Sequence, residues 1–158
     1  MPKAFTPRLR RLDRLYTDCP IYYLTACTQD RRAILASPQI HESFVTFARR
    51  ATARHVLVGR YVIMPDHVHF VAAFSPLSPS LWIWMKSWKN ALSKTLRQMN
   101  IPPRHWQKDY FDHVLRSAES YEQKWLYVRE NPVRAGLVKR WEDWPYQGEI
   151  QRLTVKKL

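Results

Sequence analysis

Val56-Leu57-Val58-Gly59-Arg60-Tyr61-Val62-Ile63-Met64-Pro65-Asp66-His67-Val68-His69-Phe70-Val71-Ala72-Ala73-Phe74 is a pair of apolar, β-branched runs separated by Pro65-Asp66. Val, Ile, Phe and Tyr suit a pleated, half-buried backbone, and a proline followed by aspartate closes a tight turn. The stretch predicts an antiparallel hairpin with strands over 56–64 and 67–74. Alternate side chains of a strand face alike, so His67 and His69 are expected to project together near the start of the second strand. Asp66 falls on the opposite phase and is not placed among possible ligands.

Working outward, Ile21 to Thr28 has the β-branched and aromatic character of another strand. Ser37 can cap a helix with Pro38 at its first position and Ile40, Phe44, Phe47 and Ala48 as its apolar stripe. A longer helix is predicted over 80–100. Leu81, Met85, Trp88, Leu92, Leu96 and Met99 would lie on one face, with Lys86, Lys89, Lys94 and Arg97 opposite, before Pro102-Pro103. Residues 106–115 read as a loop and short strand. Ser117 to Ser120 then cap a helix carrying Tyr121, Trp125, Tyr127 and Val128, which Asn131-Pro132 should end. Tyr127 and Asn131, four apart, would share a face of it. The order strand, helix, strand, strand, helix, short strand, helix predicts an α+β ferredoxin-like sandwich, an antiparallel sheet with helices packed on it. The organisation expected is a basic N-terminal arm over 1–18, one domain over 19–146 and a basic tail over 147–158.

Across 158 residues there are 26 Lys and Arg against 13 Asp and Glu, a net charge of +13, so a polyanionic partner is expected, nucleic acid before an anionic membrane. No apolar run approaches the ~20 residues of a membrane span, and the opening residues lack the apolar core of a secretory signal. Cys19 and Cys27 form no CxxC and are read as thiols of a reducing compartment without a functional role. A cytoplasmic location is expected. Arg8, Arg10, Arg11 and Arg14 of the arm, with Lys86, Lys89, Lys94 and Arg97, are the candidate phosphate contacts. Trp82, Trp84, Trp106 and Tyr110 would stack unpaired bases if exposed, whereas Trp88 is assigned to the core.

Two imidazoles and an amide oxygen, from His67, His69 and Asn131, can hold a divalent cation of the Mg²⁺ or Mn²⁺ type, and no thiolate joins them to make a structural zinc site. Such an ion polarises phosphoryl oxygens, and a tyrosine hydroxyl beside it is a nucleophile suited to reversible phosphodiester cleavage. Each element alone has an ordinary structural role. Their occurrence together in a strongly basic domain points to phosphodiester chemistry.

Three ordered motifs, Tyr61 to His69, Trp106-Gln107 with Tyr110 to His113, and Tyr127 to Val138, followed by Trp144-Pro145, resemble the single-tyrosine HUH transposases, most of all the REP-associated tyrosine transposases. The resemblance spans about residues 20–146. It implies a ferredoxin-like fold and a Mg²⁺- or Mn²⁺-dependent single-strand endonuclease and strand transferase. It makes His67, His69 and Asn131 metal ligands, and Tyr127 the nucleophile that leaves a 5′-phosphotyrosine and a free 3′-OH. It further implies recognition of imperfect palindromic REP hairpins with a short single-stranded guide. A monomer is favoured, with the helix-exchanging homodimer of insertion-sequence relatives as the alternative. Tyr121 is a second helical tyrosine, but its phase differs from that of Asn131 by ~80°, so Tyr127 is preferred. Two other classes compete with the enzyme: a non-catalytic hairpin-binding regulator, and an RNA-binding accessory protein that would leave the histidine pair without a purpose.

Overall fold

The computed structural model describes residues 19–154, so the arginines of the arm, Arg8, Arg10, Arg11 and Arg14, lie outside the described residues. Five strands form one antiparallel sheet: β1 (Ile21–Cys27), β2 (Val56–Ile63), β3 (His67–Phe74), β4 (Phe111–Leu115) and β5 (Gln147–Glu149). Their spatial order is β4-β1-β3-β2-β5. The first four strands, with helices α1 (Pro38–Arg50) between β1 and β2 and α2 (Leu81–Gln98) between β3 and β4, are the ferredoxin-like arrangement expected from the sequence. After β4 come α3 (Ala118–Val128) and the one-turn helix α4 (Asn131–Arg134).

The predicted caps form. Ser37 accepts from the amide of Ile40, Ser80 from that of Ile83, and Ser117 and Ser120 exchange the two bonds of a capping box. The hairpin closes between Met64 N and His67 O at 2.8 Å. Along β1 and β3 the phase divides the core as a pleat requires. Leu24, Ala26, Val68, Phe70 and Ala72 pack beneath α1 and α2, together with Phe44, Trp84, Trp88 and Leu92. Ile21, Val71 and Ala73 face the other way and pack with Leu115 of β4 and Tyr121 of α3. His67 and His69 have this second phase and so face the α3 layer. β2 changes phase at a bulge between Val58 and Tyr61, which lets Val56, Val58, Tyr61 and Ile63 all serve the α1–α2 side.

Two boundaries differ from the sequence expectation. The segment 147–158 is not wholly a tail, because β5 pairs with β2 and Leu153 packs against the cluster around Val71. Gly148 permits the pairing: a β-carbon there would meet Tyr61 Oη at 2.8 Å. And α3 stops at Val128 instead of running to Asn131. Pro132 has no N–H to give the Val128 carbonyl, and its ring crowds that carbonyl. Arg129 and Glu130 nonetheless keep right-handed helical backbone, so α4 follows α3 with no extended residue between them. Gly136, with φ of 73°, closes α4 in a Schellman motif: Gly136 N donates to Val133 O and Leu137 N to Pro132 O, each at 2.9 Å.

Candidate active site

One open cleft of about 870 Å³ lies between β3, β1 and α3, lined among others by Tyr23, His67, His69, Lys124, Tyr127, Asn131 and Arg134. The four residues singled out in the sequence for chemistry therefore line the same cleft, although Tyr127 and Asn131 sit on separate helices. Tyr127 is 66 % exposed, whereas Tyr121 is 5 % exposed and packed under the Arg60 guanidinium. Of the two helical tyrosines, only Tyr127 is open to a substrate.

The histidine rings stand edge to face with centroids 4.6 Å apart, and His69 stacks on Tyr23. Each is held at Nδ1. His67 Nδ1 lies 2.7 Å from Asp66 Oδ1, and His69 Nδ1 lies 2.8 Å from the Thr25 hydroxyl, its partner residue on β1. The Asp66 carboxylate only accepts and so favours a proton on Nδ1 of His67, and the Thr25 hydroxyl can accept from Nδ1 of His69; in that tautomer Nε2 of each ring keeps its lone pair for a ligand. Asp66, which regular strand phase would turn away, lies in the turn before β3 and reaches back to His67. Arg31 steadies it, with Nε 2.8 Å from Asp66 Oδ2 and Nη1 3.2 Å from Cys27 Sγ. Asp30 and Arg31 both take left-handed backbone, φ 56° and 53°, in the short turn that presents Arg31 to that carboxylate.

Electrostatics keep the pair neutral. Burial, then the positive field of His67, Arg31, Arg134 and Lys124, pushes His69 down to about 3. Burial lowers His67 as well, although Asp66 opposes it. Burial would raise Asp66, but the bonds from His67 and Arg31 outweigh it and hold the carboxyl below its ordinary range. Neutral imidazoles are the form that binds metal. Among the described residues no group of three or more His, Cys, Asp or Glu is arranged to hold a metal, so any site here must draw its third protein donor from another residue type. Asn131 offers an amide oxygen, which accepts a hydrogen bond from Arg134 Nη2.

The expected phosphate contacts on α2 divide. Lys86, Lys89 and Arg97 line a second cleft of about 630 Å³ between α2 and the 103–110 loop, while Lys94 lies in the groove between α1 and α2. Lys89 is occupied, its ammonium donating to the carbonyls of Gln107 at 2.9 Å and Asp109 at 3.1 Å, which staples the loop to the helix. Of the aromatics considered for stacking, Trp84 and Trp106 are buried and so are core residues. Trp82 is 62 % exposed with Lys86 over its ring, and Tyr110 lines the second cleft. Trp88 is buried as expected. No helix among the described residues is long and apolar enough to cross a membrane.

The family model described as "Transposase IS200 like" matches residues 18–131. The chain belongs to the IS200-like transposase family. Two curated relatives extend the likeness. The REP-associated tyrosine transposase of Escherichia coli K12 is 23% identical over 133 residues, covering 84% of this chain and 78% of the relative. A Haemophilus influenzae protein is 24% identical over 143 residues, covering 84% and 81%. The structure of a REP-associated tyrosine transposase bound to a REP hairpin superposes with a TM-score of 0.64 at 17% identity, covering 90% of this chain and 94% of the other. The likeness carried by the motifs is thus borne out, and the shared fold with it. In the frame of this family, sequence reasoning missed Thr25, Arg31, Asp66, Lys124 and Arg134. A threonine across from a histidine in strand register is the only one of these that a correct pairing of β1 with β3 could have suggested.

Proposed function

We propose that the chain is a DNA transposase-type enzyme that cuts and rejoins single-stranded DNA beside REP-type hairpins through Tyr127. The observation that carries this is the convergence of His67, His69, Tyr127 and Asn131 on one open cleft of a domain with net charge +13. The Tyr127 hydroxyl oxygen attacks the scissile phosphorus and forms a Tyr–O–P bond as the P–O3′ bond breaks. The phenolic proton passes to solvent and the departing 3′ oxygen takes one up, leaving a 5′-phosphotyrosine and a free 3′-OH. Attack by a 3′-OH on the same phosphorus reverses the step and rejoins a strand, with little loss of bond energy.

The donor set fits a Mg²⁺ or Mn²⁺ ion: two neutral imidazoles oriented through Nδ1 and one amide oxygen, with room for water in an open cleft. His67, His69 and Asn131 would hold it, and it would supply polarisation of the phosphoryl oxygens and of the leaving oxygen. Asp66 and Thr25 keep the rings in place. Lys86, Lys94 and Arg97, with Arg8, Arg10, Arg11 and Arg14 of the arm, contact DNA phosphates away from the cut, and Trp82 offers a stacking face.

The test is incubation with labelled single-stranded REP-type hairpins in Mn²⁺ or in EDTA, followed by denaturing electrophoresis. A metal-dependent DNA–protein adduct that Tyr127→Phe abolishes is expected. Tight hairpin binding without adduct would favour a regulator, and equal binding of matched RNA hairpins an RNA-binding role.

A further inference from the structure

Arg134 is exposed, yet three contacts hold its guanidinium. Its Nη2 donates to the Tyr127 carbonyl at 2.6 Å and to Asn131 Oδ1, and its Cζ sits 4.0 Å above the Tyr127 ring. Among the described residues no carboxylate pairs with it. Holding a long side chain in place at an exposed position costs rotamer entropy, so a surface arginine without a carboxylate is ordinarily mobile. Here the helix break at Pro132 and the Schellman closure at Gly136 place Arg134 one turn beyond Asn131 and back over Tyr127.

The two contacts made by Nη2 use both of its hydrogens. Nε and Nη1 retain three N–H groups, which flank Cδ and point apart, so each can donate singly, and Arg134 lines the same cleft as the histidines. A phosphodiester presents two anionic non-bridging oxygens, either of which can accept a charge-assisted hydrogen bond from one of these N–H groups.

We propose that Arg134 is the phosphate anchor of the site, holding the scissile phosphodiester through its charge and a free N–H group while Nη2 fixes Tyr127 and Asn131. This rests on the nuclease reading above for what lies in the cleft. It makes one side chain responsible for keeping nucleophile, amide donor and scissile phosphate in mutual register. A lysine there would supply the charge without the planar group that stacks on Tyr127 and bonds its carbonyl together with Asn131 Oδ1. A glutamine could keep a donor for Tyr127 O or Asn131 Oδ1 and would supply no charge.

The experiment uses the full chain and a fluorescein-labelled single-stranded DNA hairpin with unpaired flanks, bound in EDTA and followed by anisotropy across a salt series. Each phosphate neutralised on single-stranded DNA contributes about 0.7 to the slope of log K against log salt. Arg134→Gln is expected to lose about 0.7 from that slope, and Arg134→Lys to keep it. On the same hairpin without flanks, wild type and Arg134→Gln should have equal slopes. Thermal melting of both variants confirms that they are folded. An unchanged slope in folded Arg134→Gln overturns the anchor and leaves a structural clamp. A slope difference that persists without flanks also overturns it, by placing the contact on the stem. Because binding in EDTA needs no turnover, failure of wild type to form a Tyr127 adduct would refute the nuclease reading alone.

Discussion

Thr25→Val tests how His69 is held. The Thr25 hydroxyl lies 2.8 Å from His69 Nδ1, on strands where the two residues are direct partners. Valine reproduces the shape of threonine and deletes only the hydroxyl. The site is half-buried, so loss of one neutral hydrogen bond should cost the fold about 1 kcal/mol. The larger effect should fall on metal binding, because the ring could then turn or carry its proton on Nε2. Removing such an outer partner typically weakens metal affinity ~10–100-fold, or about 1.4–2.8 kcal/mol. Titration of Mn²⁺ followed by the electron paramagnetic resonance signal of the free ion reads this directly, with melting temperature measured alongside. A folded variant with unaltered Mn²⁺ affinity would refute the assignment of Thr25, and with it the argument that Nδ1 engagement prepares Nε2 of His69.

Further expectations follow from the same geometry. His69 has a folded pKa of about 3 against an ordinary 6.5, so the unfolded chain binds its proton more readily between those values. Stability from this residue is complete above about pH 6.5 and is lost as pH falls towards 3; urea unfolding of His69→Gln should show a shallower acid decline, and an identical decline would contradict it. Trp88→Ala should cost about 3–5 kcal/mol in chemical denaturation, whereas Trp82→Ala should leave stability nearly unchanged and weaken single-strand binding. Lys89→Met should lower the melting temperature by freeing the 103–110 loop, and Lys86→Met should not; equal melting temperatures would show that the three carbonyl contacts contribute nothing. Gly148→Ala should destabilise by about 1–3 kcal/mol, since its β-carbon would press on Tyr61 Oη, and a neutral effect would mean that β5 is dispensable.

The hairpin, both long helices and their caps were legible because each rests on local rules: β-branched runs about a Pro-Asp turn, a serine before Pro38, an apolar stripe from Leu81 to Leu96. The projection of His67 and His69 to one face followed from strand period alone. What escaped the sequence depends on tertiary closeness. β5 is three residues without apolar alternation, and its place is set by a glycine fitting under Tyr61. The helix break before Pro132 was displaced by three residues, because proline has no N–H to bond the Val128 carbonyl. Tyr127 and Asn131 still line one cleft, since Arg129 and Glu130 keep helical backbone. Asp66 was assigned away from the site by regular strand phase, but it belongs to the turn, where phase does not apply. Trp84 and Trp106 could not be told from Trp82 by composition; packing separates them. Arg134 was invisible because its role rests on contacts with the Tyr127 carbonyl and Asn131 Oδ1 that only the folded chain brings about.

The central claim is that Tyr127 itself takes up the cleaved strand. Trypsin cuts after Arg116, Lys124 and Arg129, which places Tyr121 on the peptide 117–124 and Tyr127 on 125–129. The protein is incubated with a REP-type hairpin and Mn²⁺, the adduct is isolated and digested with nuclease and trypsin, and the nucleotide-bearing peptide is identified by mass spectrometry. The account predicts a 5′-linked nucleotide on peptide 125–129. A nucleotide on 117–124, or cleaved DNA with no covalently modified tyrosine, would contradict it.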